Sequence, residues 1–223
     1  MYVYAFLPSS VVPLDLPDGI ESTVQLITEA GLSAAVEEGL NLEHLQQSDN
    51  RLMQAVLLHD RVIRELFSQT ALLPLRFGTH FVSKEALVSH LQANGRNYLE
   101  LLHHLADKAE YTLKLTPLDP PEEEEVTPEG RGRDYFLAKK RRFQAFQDYK
   151  QQQQDELEQI KEAIAQRYPG AVYSAVKDDV ERVHLFVPRR LEGSLLEQLG
   201  EWQGRSPHWQ VELSEALPPY HFV

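Results

Sequence analysis

The chain has 223 residues, 42% of them hydrophobic and 25% charged, with a net charge of −12 and no cysteine. That length holds one large domain or two small ones, with enough apolar content for a sizeable core. The acidic balance argues against duplex nucleic acid and anionic lipid as partners, since both attract positive surfaces, and the missing thiols exclude disulfides and thiolate metal centres.

Tyr2 to Leu7 reads as a first strand, aromatic and β-branched, stopped by Pro8. No basic leader precedes it, and no stretch reaches the roughly 20 apolar residues of a membrane span, so the chain reads as soluble and cytoplasmic. Val11 to Gly19 reads as a loop, and Ser22 to Glu29 with Leu32 to Val36 as a hairpin around Ala30-Gly31. Ser48-Asp49-Asn50 opens a helix on which Leu52, Ala55, Val56, His59, Val62, Ile63, Leu66 and Phe67 share one face. Leu72 to Phe81 contains Pro74 and Gly78, which predicts a kinked strand or an edge strand. Ser83 starts a further helix, expected to bend at Asn94-Gly95.

Tyr111 to Leu115 alternates as a strand, and then the composition changes. Residues 117–130 hold four prolines and the run Glu122 to Glu125, too little apolar surface to offset the entropy of ordering, and read as a mobile loop. Asp134 to Tyr168 is a long helix stopped by Pro169-Gly170, its apolar stripe interrupted at Gln151 to Gln154. Ala171 to Val176 and Val180 to Val187 make a hairpin around Asp178-Asp179; Leu191 to Trp202 is amphipathic and helical; Trp209 to Leu213 is a last strand. The fold class is therefore α+β in two domains: a mixed domain over 1–109, and a domain over 110–223 in the split βαβ, ferredoxin-like order, carrying the acidic loop 117–130 and an aromatic tail 214–223. The strand at Tyr111 to Leu115 fits either domain.

Chemistry is sparse. His103 and Asp107 stand four apart on one helical face, a spacing that chelates a divalent ion only with a third ligand, which the sequence does not place. His59 lies on an apolar stripe, where a core histidine bonded to a backbone carbonyl is the expectation and a general base the alternative. Nucleophile elbow, Walker, dinucleotide and zinc-protease patterns are all missing. Gly130 to Arg133 resembles a phosphate loop only loosely and reads as a hinge. Lys139-Lys140-Arg141-Arg142 spreads around the helix rather than forming one stripe. It reads as a solvated turn, with docking of Glu122 to Glu125 or of an acidic partner as alternatives. In Leu72 to Thr79, Pro74 and Gly78 shape the backbone, and Arg76 is expected on the face opposite Leu75 and Phe77, paired with a carboxylate. The tail carries Pro218, Pro219, Tyr220 and Phe222, which either packs back on the body or docks into a partner.

The opening Tyr2 to Phe6, His59 with Val62 and Ile63, Leu73 to Thr79, Glu110 to Leu115, Gly132 to Lys140 and Pro218 to Phe222 together resemble the gas vesicle GvpF/GvpL family over nearly the whole chain. Glu215-Ala216-Leu217 stands where that family often carries Gly-Pro-Trp. The resemblance implies a non-enzymatic minor component or assembly factor of the gas vesicle, without cofactor or metal. Its expected partners are the main shell protein and other accessory proteins, not nucleic acid or membrane. Pro74, Arg76, Phe77, Pro218, Pro219, Tyr220 and Phe222 are the candidate partner-binding residues. The competing expectations are a metal-dependent or acid–base enzyme using His59, His103 and Asp107, and a nucleic-acid-binding module using the basic block.

Overall fold

The computed structural model describes residues 1–45, 47–121 and 133–223; the acidic run Glu122 to Glu125 and the glycines Gly130 and Gly132, read from the sequence as a loop and a hinge, lie outside the described residues. The chain resolves into two units of mixed α and β structure, Met1–Glu110 with Ala216–Val223, and Tyr111–Glu215.

In the first unit, β1 (Tyr2–Pro8), β2 (Gln25–Glu29), β3 (Leu32–Glu37) and the two-residue β4 (Leu73–Pro74) form a sheet in the order β2-β3-β1-β4. The hairpin closes where expected. Ala30 and Gly31 take φ of 51° and 81°, the left-handed pair that a two-residue loop needs, and Glu29 pairs with Leu32 across it. Strand β1 lies inside the sheet, and Tyr2 to Leu7 are all buried, which accounts for its unbroken apolar run. A short helix α1 (Leu42–Leu45) precedes α2 (Asp49–Phe67), which buries Ala55, His59, Val62, Ile63, Leu66 and Phe67 as its period predicts. Helix α3 (Lys84–Leu105) opens on Ser83, whose hydroxyl accepts from the Ala86 N–H at 3.2 Å.

Two local expectations for this unit are corrected. Helix α3 runs unbroken through Gly95, which is buried against the β2–β3 turn; a Cβ there would meet Ala30 Cβ at 3.6 Å, so the small residue serves close packing rather than a bend. The strand expected over Leu72 to Phe81 is interrupted: Leu73–Pro74 pair with β1 at the sheet edge, and His80 meets Tyr2 again as an isolated bridge. Pro74 has no N–H to extend the pairing. Gly78 at φ 91° then turns the chain, with the Thr79 N–H donating to Arg76 O at 3.1 Å, before Phe81 N rejoins β1 through Met1 O at 2.9 Å.

In the second unit, β5 (Lys108–Pro117, its first three residues belonging to the first unit) is followed by α4 (Arg133–Arg167), β6 (Val172–Tyr173), β7 (Glu181–Pro188), α5 (Glu192–Arg205) and β8 (Trp209–Leu213). The sheet order is β6-β7-β5-β8. Alternate residues Tyr111, Leu113 and Leu115 of β5 and Val183, Leu185 and Val187 of β7 are buried, as are Leu157, Ile160 and Ile164 of α4 and Leu195 and Trp202 of α5. Asp178 and Asp179 take φ of 55° and 58° in the predicted hairpin turn. The glutamine interruption of α4 has a structural use. Buried Gln153 donates to Leu118 O at 3.0 Å and His208 O at 2.9 Å, while its own carbonyl accepts the Trp209 indole N–H at 2.8 Å. Among the described residues no helix is long and apolar enough to cross a membrane.

The tail Ala216–Val223, read from the sequence with residues 110–223, groups with Met1–Glu110, and Glu110 and Leu217 exchange backbone hydrogen bonds at 3.0 and 2.8 Å.

Candidate functional site

Strand β1 lifts Tyr2 and Tyr4 onto the face that α2 covers, and His59 of α2 meets both: its ring stacks on Tyr4 at 5.3 Å and stands edge-on to Tyr2 at 5.6 Å. The His59 Nε2–H donates to Leu75 O at 3.0 Å, which leaves Nδ1 to accept from the Tyr2 hydroxyl at 2.8 Å. The Gly78 N–H donates in turn to the Tyr2 oxygen at 3.3 Å, and the Phe77 ring closes the cluster 5.7 Å from His59 and 6.1 Å from Tyr2. Burial lowers the His59 pKa against the opposing pull of the Leu75 carbonyl and the Asp60 charge, so the ring is neutral. Burial likewise pushes the Tyr2 phenol up to about 12. Both imidazole nitrogens hold the fold, and the core reading of His59 describes it.

The network continues to Glu37 at the end of β3. Its carboxylate accepts the Tyr4 hydroxyl, the N–H groups of Ile20, Glu21 and Ser22 at 2.7 Å each, and the Ser22 hydroxyl at 3.3 Å. Burial alone would raise the Glu37 pKa; the Tyr4 hydroxyl and the three backbone donors outweigh it and hold the group below the ordinary glutamate value. Gly19 must be small here, since a Cβ would overlap the Glu37 carboxylate and stand 2.6 Å from Ser22 O. Sequence reasoning missed Glu37: beside Glu38 it looks like a solvated pair, and its donors lie 15 to 33 positions away.

One position further along α2, Asp60 anchors the tail. The Tyr220 hydroxyl donates to Asp60 Oδ1, and Arg64 Nε donates to Oδ2 at 2.6 Å. Burial, then the Asp60 hydrogen bond and charge, raise the Tyr220 pKa, so the phenol stays a donor. Buried Glu110 takes the His221 N–H at 2.9 Å and its Nδ1 at 2.7 Å. Neighbouring residues of one helix therefore hold the two distinctive segments of the chain: His59 fixes Leu75 to Gly78, and Asp60 fixes Tyr220.

The predicted partner-binding residues fall into two kinds. Pro218 and Pro219 are buried, Pro74 pairs with Ala5, and Tyr220 is engaged with Asp60. Arg76 is exposed on its turn, and Phe77 and Phe222 are half-buried. The strand-face position and carboxylate pairing expected of Arg76 do not arise, because residues 76–78 turn away from β1 between Leu75, whose N–H donates to Tyr4 O at 2.9 Å, and Thr79, whose carbonyl accepts from Val3 N at 3.0 Å; among the described residues no ion pair to Arg76 is formed. The helical spacing weighed for His103 and Asp107 does not hold either. Helix α3 ends at Leu105, and Asp107 lies beyond it at φ 61°, so helical spacing no longer applies. Among the described residues His59, His103 and Asp107 form no group close enough to share an ion. The basic block Lys139 to Arg142 is exposed on the amino-terminal half of α4.

Comparison with known proteins gives a consistent result. The family model described as gas vesicle synthesis protein GvpL/GvpF matches residues 1–223. The crystal structure of gas vesicle protein GvpF from Anabaena sp. PCC7120 aligns with a TM-score of 0.69 at 16% identity, covering 99% of this chain and 96% of that one. That of GvpF from Microcystis aeruginosa aligns with a TM-score of 0.67 at 16% identity, covering 99% and 97%. Among curated proteins no sequence matches.

Proposed function

The chain belongs to the GvpL/GvpF family of gas vesicle synthesis proteins, and we propose that it acts as a minor structural component or assembly factor that binds the main shell protein or its assembly intermediates. The observation that carries this reading is the family match along the whole chain, residues 1–223. Shell subunits that enclose gas must present apolar surface, and such surface has to be kept from aggregating before assembly. An acidic protein with a net charge of −12 suits that task. The setting is cytoplasmic, at the vesicle, with other accessory proteins as further partners.

A non-enzymatic role is part of the proposal. It is supported by the use of both His59 nitrogens within the core and by His59, His103 and Asp107 forming, among the described residues, no group close enough to share an ion. We further read the two units as domains, the second ferredoxin-like; the element order β5-α4-β6-β7-α5-β8 with sheet order β6-β7-β5-β8 supports that label.

Of the candidate contact residues, Arg76 is the one the first unit leaves on its surface, with Phe77 and Phe222 partly accessible. The test is capture of the purified shell protein by wild type, Arg76→Glu and Phe222→Ala. Weakened capture with unchanged thermal unfolding supports the reading; full capture by both variants removes these residues from the interface, and no capture by the wild type removes shell binding itself.

A further inference from the structure

We propose that the amino-terminal half of α4, residues 135–150, is a docking surface for an acidic amphipathic helix of a partner protein. The helix is 35 residues long, about 50 Å at about 1.5 Å per residue, but only its second half is packed within its unit. The buried stripe Gln153, Leu157, Ile160 and Ile164 continues backward at the same period through Tyr149, Phe146, Arg142 and Tyr135, with Phe143 and Phe136 at its flank. On this continuation the burial stops. Phe136 is 71% exposed, Phe143 64%, Tyr135 50% and Phe146 44%. Aromatic rings that repeat along one side of a helix and stay this exposed form an interface pattern, because isolated surface aromatics are scattered rather than aligned.

The base of the surface is shaped. Pro120 and Pro121 face Arg142, Ala145, Phe146 and Tyr149 across a concavity of about 450 Å³. The Tyr149 hydroxyl, hydrogen-bonded to the Leu118 and Asp119 carbonyls at 3.1 Å each, ties the two walls together. An apolar side chain fits that notch. Phe136 and Phe143 lie two turns apart, about 10 Å, the spacing at which one helix presents successive anchors to another.

Charge selects the occupant. Residues 135–150 carry Lys139, Lys140, Arg141, Arg142 and Lys150 against the single acid Asp148, in a chain whose net charge is −12. By helical period Lys139, Arg142 and Lys150 share the side of the aromatic rows while Lys140 and Arg141 turn away, and that side calls for a ligand with carboxylates flanking an apolar row. An anionic membrane is disfavoured by the acidity of the rest of the chain, and a nucleic acid by the same field together with the spread of the four basic residues around the helix. The proposal deepens the scaffold reading by naming a surface and the chemistry of what it takes.

The test uses the full chain and a labelled 18-residue helical peptide with leucines at i, i+3, i+7 and i+10 and glutamates flanking them, followed by fluorescence anisotropy. Binding is expected, weakened at least ~10-fold by Phe136→Ser/Phe143→Ser/Phe146→Ser and by Lys139→Glu/Arg142→Glu. These side chains are exposed, so circular dichroism and Tm should match wild type. Equal binding of a lysine-flanked peptide, or unchanged affinity in both variants, overturns the proposal. So does binding of phosphatidylglycerol vesicles in preference to the peptide, or concentration-dependent dimerisation abolished by the serine variant. Wild type that binds nothing until Glu122 to Glu125 are changed to Gln also overturns it, by assigning the surface to the chain's own acidic run. Co-fractionation of wild type with purified gas vesicles is measured in parallel. If that survives while the peptide fails, the docking surface falls and the scaffold reading stands; if wild type does not co-fractionate, the scaffold reading falls whatever the peptide does.

Discussion

Replacing Glu37 with glutamine tests the buried carboxylate with almost no change of volume. Oε1 accepts Glu21 N, Ser22 N and the Ser22 hydroxyl, and Oε2 accepts Ile20 N and the Tyr4 hydroxyl. A carboxamide can keep one oxygen facing the first group; its NH₂ then confronts Ile20 N–H and Tyr4. The phenol can rotate to accept, and Ile20 N keeps its 3.0 Å contact with the Tyr4 oxygen. The loss is thus one donor–donor conflict plus conversion of several charge-assisted bonds to neutral ones. At about 1–3 kcal/mol for an unsatisfied buried group and somewhat less for each weakened bond, the variant should lose about 2–4 kcal/mol. Urea unfolding at pH 7 measures this directly. The pH profile supplies a second reading. The folded-state pKa of Glu37 is lowered, so the unfolded chain takes up the proton first. Its contribution is complete above the ordinary glutamate value of about 4.3 and disappears as pH falls through the lower folded value. The gap between wild type and Glu37→Gln should therefore narrow on acidification. A loss below about 1 kcal/mol, or a gap that stays constant into acid, would refute the account of Glu37 as an ionised internal ligand.

The same first unit yields four further outcomes. His59→Ala removes bonds to Tyr2 and Leu75 and opens a hole between two aromatic rings, and should cost about 3–5 kcal/mol in chemical denaturation, with loosened backbone over 75–79 visible as faster amide exchange. Wild type should also lose stability as pH falls below about 6.5, because the buried ring resists the proton that the unfolded histidine accepts; His59→Gln should lack that acid step. Tyr220→Phe deletes the hydroxyl bond to Asp60 and should lower stability by about 1–2 kcal/mol in a thermal melt, with the loss halved or less in an Asp60→Asn background if the two groups act as a pair. Gly95→Ala should stabilise by about 0.5–1 kcal/mol, since the added Cβ finds ordinary contact at 3.6 Å and helix α3 gains a better helix former; a destabilised variant would show that the approach to Ala30 is tighter than it looks.

Much of this architecture was legible in the chain. Strand β8 falls on Trp209 to Leu213 as read, both two-residue hairpins turn at the residues named, and α2 buries the stripe its period marks. Local periodicity and turn chemistry suffice where an element is long or its loop has a strict φ requirement. The misreadings share a cause. Gly95 looks like a breaker because its reason for being small, Ala30, lies 65 positions earlier. Leu75 to Thr79 looks like continuous strand because its apolar content serves the His59 cluster, while only its two end residues make backbone bonds to β1. The buried acids Glu37 and Glu110 carry no local mark, since their donors come from residues 4, 20–22 and 221. Of the candidate contact residues, the sequence identified segments that the fold sets on α2, but not which side chains those anchors consume and which they leave outside.

The return of Ala216–Val223 to the first unit bears on biosynthesis. Elongation at about 5–20 residues per second leaves roughly ten seconds between the emergence of Glu110 and that of Leu217. Throughout that interval Asp60 has no Tyr220, and Glu110 carries a carboxylate without His221 to meet it. A chain that has not yet reached Ala216 therefore lacks the bonds that Tyr220 makes to Asp60 and His221 to Glu110. Arrival of residues 216–223, rather than folding of the preceding segments, is the event that latches the first unit.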